Sequence, residues 1–369
     1  MNDPNHENFL LQKLAVKENS NSYRTLPDFE GMIDFCSNDY LGFSRRLIPF
    51  QSLDAGLPTG ATGSRLISGN SQLAEETESM IAGFHNAESA LIFNCGYMAN
   101  VGLFSSVIDV RDVVIHDELI HASIIDGIRL SFGQRLKFKH NTIDDLERIL
   151  AKTKGRVFVA IESVYSMDGD IAPLELIANI CEKYGAHLIV DEAHAVGVFG
   201  SKGEGLVSAL HLEKKVFARV ITFGKAIGLH GAAVLGSNVL IKFLINHSRA
   251  FIYTTALPPH NYLMLQKAYL LLPDENRTSL FELITHFKNR AADIKQYQWQ
   301  CNDSPIQNLM GDGNDMIKNI AERMQENKFA VKAILHPTVP KGRERLRICL
   351  HSFNTIRQID DLFDCILTA

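Results

Sequence analysis

The sequence predicts an α/β protein: a mostly parallel sheet covered by helices, followed by a smaller α+β domain. Three observations carry this. Short apolar runs alternate with helical segments through the middle of the chain, which is the rhythm of strand–helix–strand units. Two of the runs, "VFVAI" and "HLIV", are nearly continuous in apolar character, as expected of strands buried on both faces. Beyond about residue 260 the texture changes to long helices and one late strand.

The elements follow in order. The first 20 or so residues read as a short amphipathic helix, with Leu10, Leu11 and Leu14 on one face. Candidate strands are "SALIFNCG" (89–96), "DVVIHD" (112–117), "RVFVAIES" (156–163), "AHLIVDEAH" (186–194), "ARVITFGK" (218–225) and "GAAVLGS" (231–237). Helical segments such as "PLELIANICEKYG" (173–185) lie between them. "PHNYLMLQKAYLLL" (259–272) and "SLFELITHFKNRAADIKQY" (279–297) are long helices. Residues 336–355 read as a loop and strand, and 356–369 as a closing helix. This gives an N-terminal arm at 1–45, a large domain at 46–265 and a small domain at 266–369.

A length of 369 residues favours more than one packed unit. The formal net charge of -5 argues against a nucleic-acid or membrane-surface partner. No run reaches the roughly 18 apolar residues that span a bilayer, and the N-terminus lacks the apolar core of a signal peptide. The six cysteines form no C-x-x-C pair and read as reduced thiols of a cytoplasmic protein. No metal-ligand spacing is present.

The chemistry centres on "VITFGKAIGLHG", where Lys225 sits among small and apolar neighbours after a strand. By itself it reads equally as a lysine snorkelling from a strand end or as an amine placed to form a Schiff base with an aldehyde cofactor. "IVDEAHAVG" places Asp191 at the end of another strand, 34 residues before Lys225, with His194 three residues on. A buried carboxylate needs a partner, and the nitrogen of a pyridoxal phosphate (PLP) ring is a suitable one. Gly96 sits between a strand and a helix, where backbone N–H groups can hold a phosphate. Thr222 adds a hydroxyl from the next strand.

Together these stretches resemble the α-oxoamine synthases, a family of class II PLP enzymes. "CSNDYLGF" (36–43), "GATGSRLISGN" (60–70), "DELIHASIIDG" (117–127), "ESVYSMDGDIAPL" (162–174), "DEAHAVGVFG" (191–200) and "TFGKAIGLHG" occur in the family's order, and the resemblance runs from about residue 23 to 369. It implies the fold type I, aspartate aminotransferase-like architecture, PLP as cofactor and a homodimer. It also implies a reaction in which an amino acid condenses with an acyl thioester, on coenzyme A or a carrier protein, with loss of CO2 and the thiol. By position, Lys225 would carry the cofactor and act as base, and Asp191 would pair with the ring nitrogen. His194 and Ser166 would bond the ring oxygen, and His121 would stack on the ring. Gly96, Tyr97 and Thr222 would hold cofactor or phosphate, and Ser64 would reach the partner's phosphate. Asn38, Thr338 and His121 would face substrate, and Arg347 would take its carboxylate.

Each residue also has a plainer role open to it. His121 could cap a helix, Tyr97 could be core, Ser166 could form a turn, and Arg347 could pair with Glu344. Many family members carry an arginine before "P-T-V-P", where this chain has Leu335-His336; that leaves the choice of substrate open. Arg24 is only a candidate for the acyl group. A sister synthase using glycine or serine is a second reading, and a protein that binds PLP without turnover is a third.

Overall fold

The computed structural model describes residues 4–46, 56–275 and 277–368. Parts of the expected arm (1–3), of the large domain (47–55) and of the small domain (276 and 369) lie outside them. The chain opens with α1 (Asn8–Asn19) and β1 (Ile33–Asp34). Next come α2 (Gln72–Phe84), β2 (Ser89–Phe93), α3 (Gly96–Val107), β3 (Val113–Asp117), α4 (Ala122–Leu130), β4 (Gln134–Phe138) and α5 (Ile143–Leu150). β5 (Val157–Glu162), α6 (Leu174–Tyr184), β6 (His187–Asp191), α7 (Leu206–Ala209), β7 (Val216–Thr222) and β8 (Ala232–Gly236) follow. The rest is α8 (Asn238–His247), α9 (Arg249–Ile252), α10 (Pro259–Leu271), α11 (Thr278–Asp293), β9 (Gln298–Gln300), β10 (Ile306–Met310), α12 (Asn314–Glu326), β11 (Phe329–Ala330), β12 (Lys332–Ile334), β13 (Arg345–Cys349) and α13 (Ile356–Leu367).

These elements form two compact units. The larger comprises Asn38–Ser166 and Asp170–Arg277; the smaller comprises Met1–Ser37, Met167–Gly169 and Thr278–Ala369. Helix α10 stays with the larger unit because it packs on α2 and buries Tyr262, Leu265, Ala268 and Tyr269. Residues up to Ser37 join the smaller unit through β1, which pairs parallel with β11, Ile33 opposite Phe329.

The larger unit is built on a seven-stranded sheet of order β2-β8-β7-β6-β5-β3-β4. The strands from β7 to β4 run parallel. β8 runs antiparallel to both of its neighbours. Side chains alternate across the sheet. Phe158, Ala160 and Ile189 pack with Leu103, Ile124 and Leu244 on one face. Val159, Ile161, Leu188 and Val190 pack with Leu146, Ile177 and Cys181 on the other. Covered on both faces, β5 and β6 have to be apolar through their interior positions, as the sequence reads. β4 was not legible in this way, since "QRLKF" is a largely exposed edge strand.

In the smaller unit, β12-β13-β10-β9 form a four-stranded antiparallel sheet. Phe287, Trp299 and Phe363 cluster beside it, with ring centroids 4.8–5.7 Å apart. The closing helix α13 starts at a capping box formed by Thr355 and Gln358. The expected N-terminal helix is present, but none of its residues is buried, and Leu11 is 58% exposed.

Candidate active site

The site of the larger unit forms at the carboxyl ends of the parallel strands, where α/β proteins leave a crevice. β6 ends at Asp191, which is 5% exposed. Two donors hold its carboxyl: the Ala193 backbone N–H to Oδ1 at 2.9 Å and the Asn100 amide to Oδ2 at 2.8 Å. Asn100 comes from α3 and is itself buried. The same amide nitrogen reaches Ser123 Oγ at 3.0 Å. Ser123 approaches His121 Nδ1 twice, through its hydroxyl at 2.7 Å and its backbone N–H at 3.2 Å. An N–H can only donate, so Nδ1 accepts and the neutral ring carries its proton on Nε2. His121 is therefore the N-cap of α4 and at the same time a wall of the cavity. Burial holds its imidazole below the usual range; Asp191 opposes this and Lys225 adds to it.

Lys225 lies in the loop after β7. That loop is pinned by Phe223 N–H to Gly231 O at 2.9 Å, Leu229 N–H to Phe223 O at 2.7 Å and Gly228 N–H to Lys225 O at 2.8 Å. Gly228 has φ +65°, and a Cβ there would meet Ser44 N at 2.2 Å. Gly228, three residues after Lys225, is thus required by backbone that passes close by. Phe223, Ala226 and Ile227 are buried and anchor the half-buried lysine at the strand end.

Gly96 opens α3, a helix whose N-cap, Cys95, makes no side-chain cap. A Cβ on Gly96 would stand 2.6 Å from Thr222 Cγ2. Thr222 Oγ1 is buried without a hydrogen-bond partner. An uncapped helix start, a glycine and an unpaired hydroxyl form a cradle for an anion. With an amine at Lys225 and a carboxyl at Asp191, this donor set fits PLP.

One cavity of about 240 Å³ brings together Asn38, Gly96, Tyr97, His121, Asp191, Thr222 and Lys225. His194, Ser166 and Ser64 do not line it. His194 is buried, with Nδ1 2.7 Å from the Tyr40 hydroxyl. That hydroxyl also donates to Asn38 Oδ1 at 3.1 Å. Ser166 gives its backbone N–H to Glu162 Oε2 at 3.3 Å. Ser64 forms an isolated bridge with Thr255. Tyr97 is 44% exposed and donates to Asp126 rather than packing in the core.

Arg347 and Thr338 belong to the smaller unit. Arg347 lies on β13 opposite Asn308, with Nη1 2.8 Å from Cys349 Sγ. Its predicted alternative partner, Glu344, accepts instead from the Gly313 and Gly342 N–H groups. Thr338 lines a cavity of about 450 Å³ with Lys332, His336 and Arg24, whose Nη2 donates to Thr338 Oγ1 at 2.8 Å.

The sequence does not single out several polar residues that also line this cavity, among them Asn100, Glu162, His230 and Ser123. Glu162 had a legible signal. It ends an apolar strand, as Asp191 does, and the two are register partners on β5 and β6.

A family profile for aminotransferase class I and II matches residues 30–364, and the chain belongs to that family. It is 42% identical to the 8-amino-7-oxononanoate synthase of Emericella nidulans, over 91% of this chain and 89% of the relative. A putative 8-amino-7-oxononanoate synthase of Geobacillus kaustophilus is 39% identical, over 92% and 88%. Among solved structures, 8-amino-7-oxononanoate synthase from Francisella tularensis has TM-score 0.80 and 31% identity, covering 92% of this chain and 98% of that one. A structure of SPT with PLP internal aldimine has TM-score 0.89 and 25% identity, covering 100% and 98%. The fold is the type I α/β architecture that the sequence motifs implied.

Proposed function

We propose that the protein condenses L-alanine with a pimeloyl thioester to give 8-amino-7-oxononanoate, CO2 and the free thiol, a step of biotin biosynthesis, with PLP as cofactor. The observation that carries this reading is the single cavity in which Lys225, Asp191 and the Gly96–Thr222 cradle meet.

Bound through its aldehyde, the cofactor supplies a protonated pyridine ring that accepts the electron pair left when a proton or CO2 departs from the amino acid. Lys225 holds the cofactor and moves the proton at the alanine Cα. Asp191, fixed by Asn100 and Ala193, supplies the negative charge that keeps the ring nitrogen protonated. His121 offers a flat face to the ring, with its Nδ1 already committed to Ser123. Thr222 and the first N–H groups of α3 take the phosphate. Tyr97 helps hold the cofactor, Asn38, Thr338 and His121 contact substrate, and Arg347 binds its carboxylate. His194 and Ser166 support the ring oxygen.

The protein acts as a homodimer in the cytoplasm, and Ser64 completes the partner's phosphate site. The segment that carries Ser64 has Leu66 48% and Ile67 85% exposed, a surface suited to a second copy. A monomer that is fully active would overturn the dimer.

A serine- or glycine-using sister reaction is the second reading, favoured by the TM-score of 0.89 to the SPT structure. Thiol release assayed with alanine, glycine and serine against several acyl thioesters separates the two. Highest turnover with alanine and a pimeloyl thioester supports the first; preference for glycine or serine supports the second.

A further inference from the structure

Two carboxyl groups, not one, stand at the floor of the cavity. Glu162 closes β5 directly opposite Asp191 on β6, and both line the cavity. The hydrogen-bond donors are divided unevenly between them. Asp191 receives an N–H on each oxygen. Glu162 receives the Ser166 N–H on Oε2 at a long 3.3 Å and has the His121 backbone N–H directed at its carboxyl, while its Oε1 is buried without a hydrogen-bond partner. Two adjacent buried carboxyls do not both ionise; the one with a donor on each oxygen keeps the charge and the other keeps the proton. A proton on a buried carboxyl needs an acceptor, and the protein supplies none to Oε1.

The sheet order says which part of an occupant could be that acceptor. Gly96 follows β2, Thr222 ends β7 and Glu162 ends β5, so the phosphate cradle and Glu162 lie on opposite sides of the Asp191 strand. The acceptor is therefore not the phosphate. A pyridoxal ring with its nitrogen at Asp191 carries one other anionic atom, the oxygen on the ring.

We propose that Glu162 works as a neutral acid in this cavity and donates a hydrogen bond through Oε1 to the ring oxygen of bound PLP. The inference rests on the reading of the cavity as a PLP site. It makes Glu162 a positioning residue whose protonated form is the useful one; its carboxylate would repel the ring oxygen. The groups facing it agree. Burial and the charge of Asp191 push the Glu162 carboxyl up to about 8, while Lys225 and the His121 and Ser166 N–H groups work in the other direction. Tyr165 also faces it, and burial pushes that phenol well up, so it brings no second charge.

The test uses Glu162→Gln, which keeps a neutral donor, and Glu162→Leu, which removes it. Infrared spectra of the cofactor-free protein should show the carbonyl band of a protonated carboxyl at neutral pH. That band should fade as pH rises through about 8 and be missing in Glu162→Gln. Rebinding of PLP at neutral pH should be within about 3-fold of wild type in Glu162→Gln and weaker by about 10-fold or more in Glu162→Leu, the loss expected for a hydrogen bond to a charged group. With the PLP analogue lacking the ring hydroxyl, the two variants should bind alike. Absence of the protonated-carboxyl band overturns the proposal, as does Glu162→Leu binding PLP as tightly as Glu162→Gln. Borohydride reduction of the wild type with PLP, followed by peptide mapping, checks the underlying reading separately. Label on Lys225 upholds the PLP site whatever Glu162 does, and label elsewhere removes the basis of both.

Discussion

The Asn100 side-chain amide donates to Asp191 Oδ2 at 2.8 Å and lies 3.0 Å from Ser123 Oγ. One nitrogen of α3 thus joins the carboxyl at the end of β6 to the serine that holds His121. The two residues that would grip the cofactor ring, one at its nitrogen and one on its face, are aligned by a third that touches neither reacting atom.

Asn100→Ala should therefore loosen both grips. Losing a hydrogen bond to a charged group costs about 1.5–3 kcal/mol, so deuterium exchange at the alanine Cα should slow by about 10- to 100-fold at roughly 1.4 kcal/mol per decade. The measurement is exchange followed by NMR, with thermal melting as a control. Wild-type exchange in a folded Asn100→Ala protein would show that Ala193 alone positions Asp191.

Asp191→Asn keeps the size of the side chain and removes its charge. Lys225 and the phosphate cradle remain, so the variant should still turn yellow with PLP. Without the anion the ring nitrogen loses its proton, and exchange at the alanine Cα should fall by about 10³-fold or more at roughly 1.36 kcal/mol per decade. Near-normal exchange would mean that Asp191 does not meet the ring nitrogen.

Asp191 was legible because a polar residue that ends a buried apolar strand is conspicuous, and Lys225, three residues past the end of β7, because it stands among small and apolar neighbours. Asn100 was not, because one asparagine in the apolar run "YMANVG" looks the same whether its helix turns it to water or to the core. Glu162 ends a strand just as Asp191 does, but no spacing rule ties it to Lys225; only the pairing of β5 with β6 sets it beside Asp191. β4 was invisible because an exposed edge strand keeps its charged residues.

A third prediction concerns stability rather than chemistry. His140 is clamped between Asp117 Oδ1 at 2.9 Å and Asp170 Oδ2 at 2.7 Å. Burial works against its charge, but the hydrogen bonds to the two carboxylates hold its imidazole up at about 10. A folded pKa raised above the unfolded value of about 6.5 contributes stability that is complete below about 6.5 and lost as pH rises through about 10. His140→Gln should cost about 2 kcal/mol near pH 6 and much less near pH 10, as read by urea unfolding at both. A cost that does not change with pH would show that the clamp holds a neutral ring.

The last prediction separates the phosphate cradle from the fold. Thr222 Oγ1 is buried with no protein partner, so the cofactor-free protein gains nothing from that hydroxyl and bears the cost of burying it. Thr222→Val replaces the hydroxyl with a methyl of similar shape. The cofactor-free variant should melt at or slightly above the wild-type temperature, a change within about 1 kcal/mol. Bound phosphate changes the balance, because an anion would accept from the hydroxyl. Affinity for PLP should then fall by about 10-fold, a charge-assisted hydrogen bond being worth about 1.5–3 kcal/mol, while affinity for pyridoxal, which has no phosphate, should not change. Gly96→Ala should behave differently: its Cβ would stand 2.6 Å from Thr222 Cγ2, so α3 or β7 has to shift, and stability and PLP affinity should drop together. Melting curves of both variants and absorbance titrations of each with both ligands give the values needed. Equal losses of PLP and pyridoxal affinity in Thr222→Val would place the phosphate away from Thr222 and remove the cradle from the site.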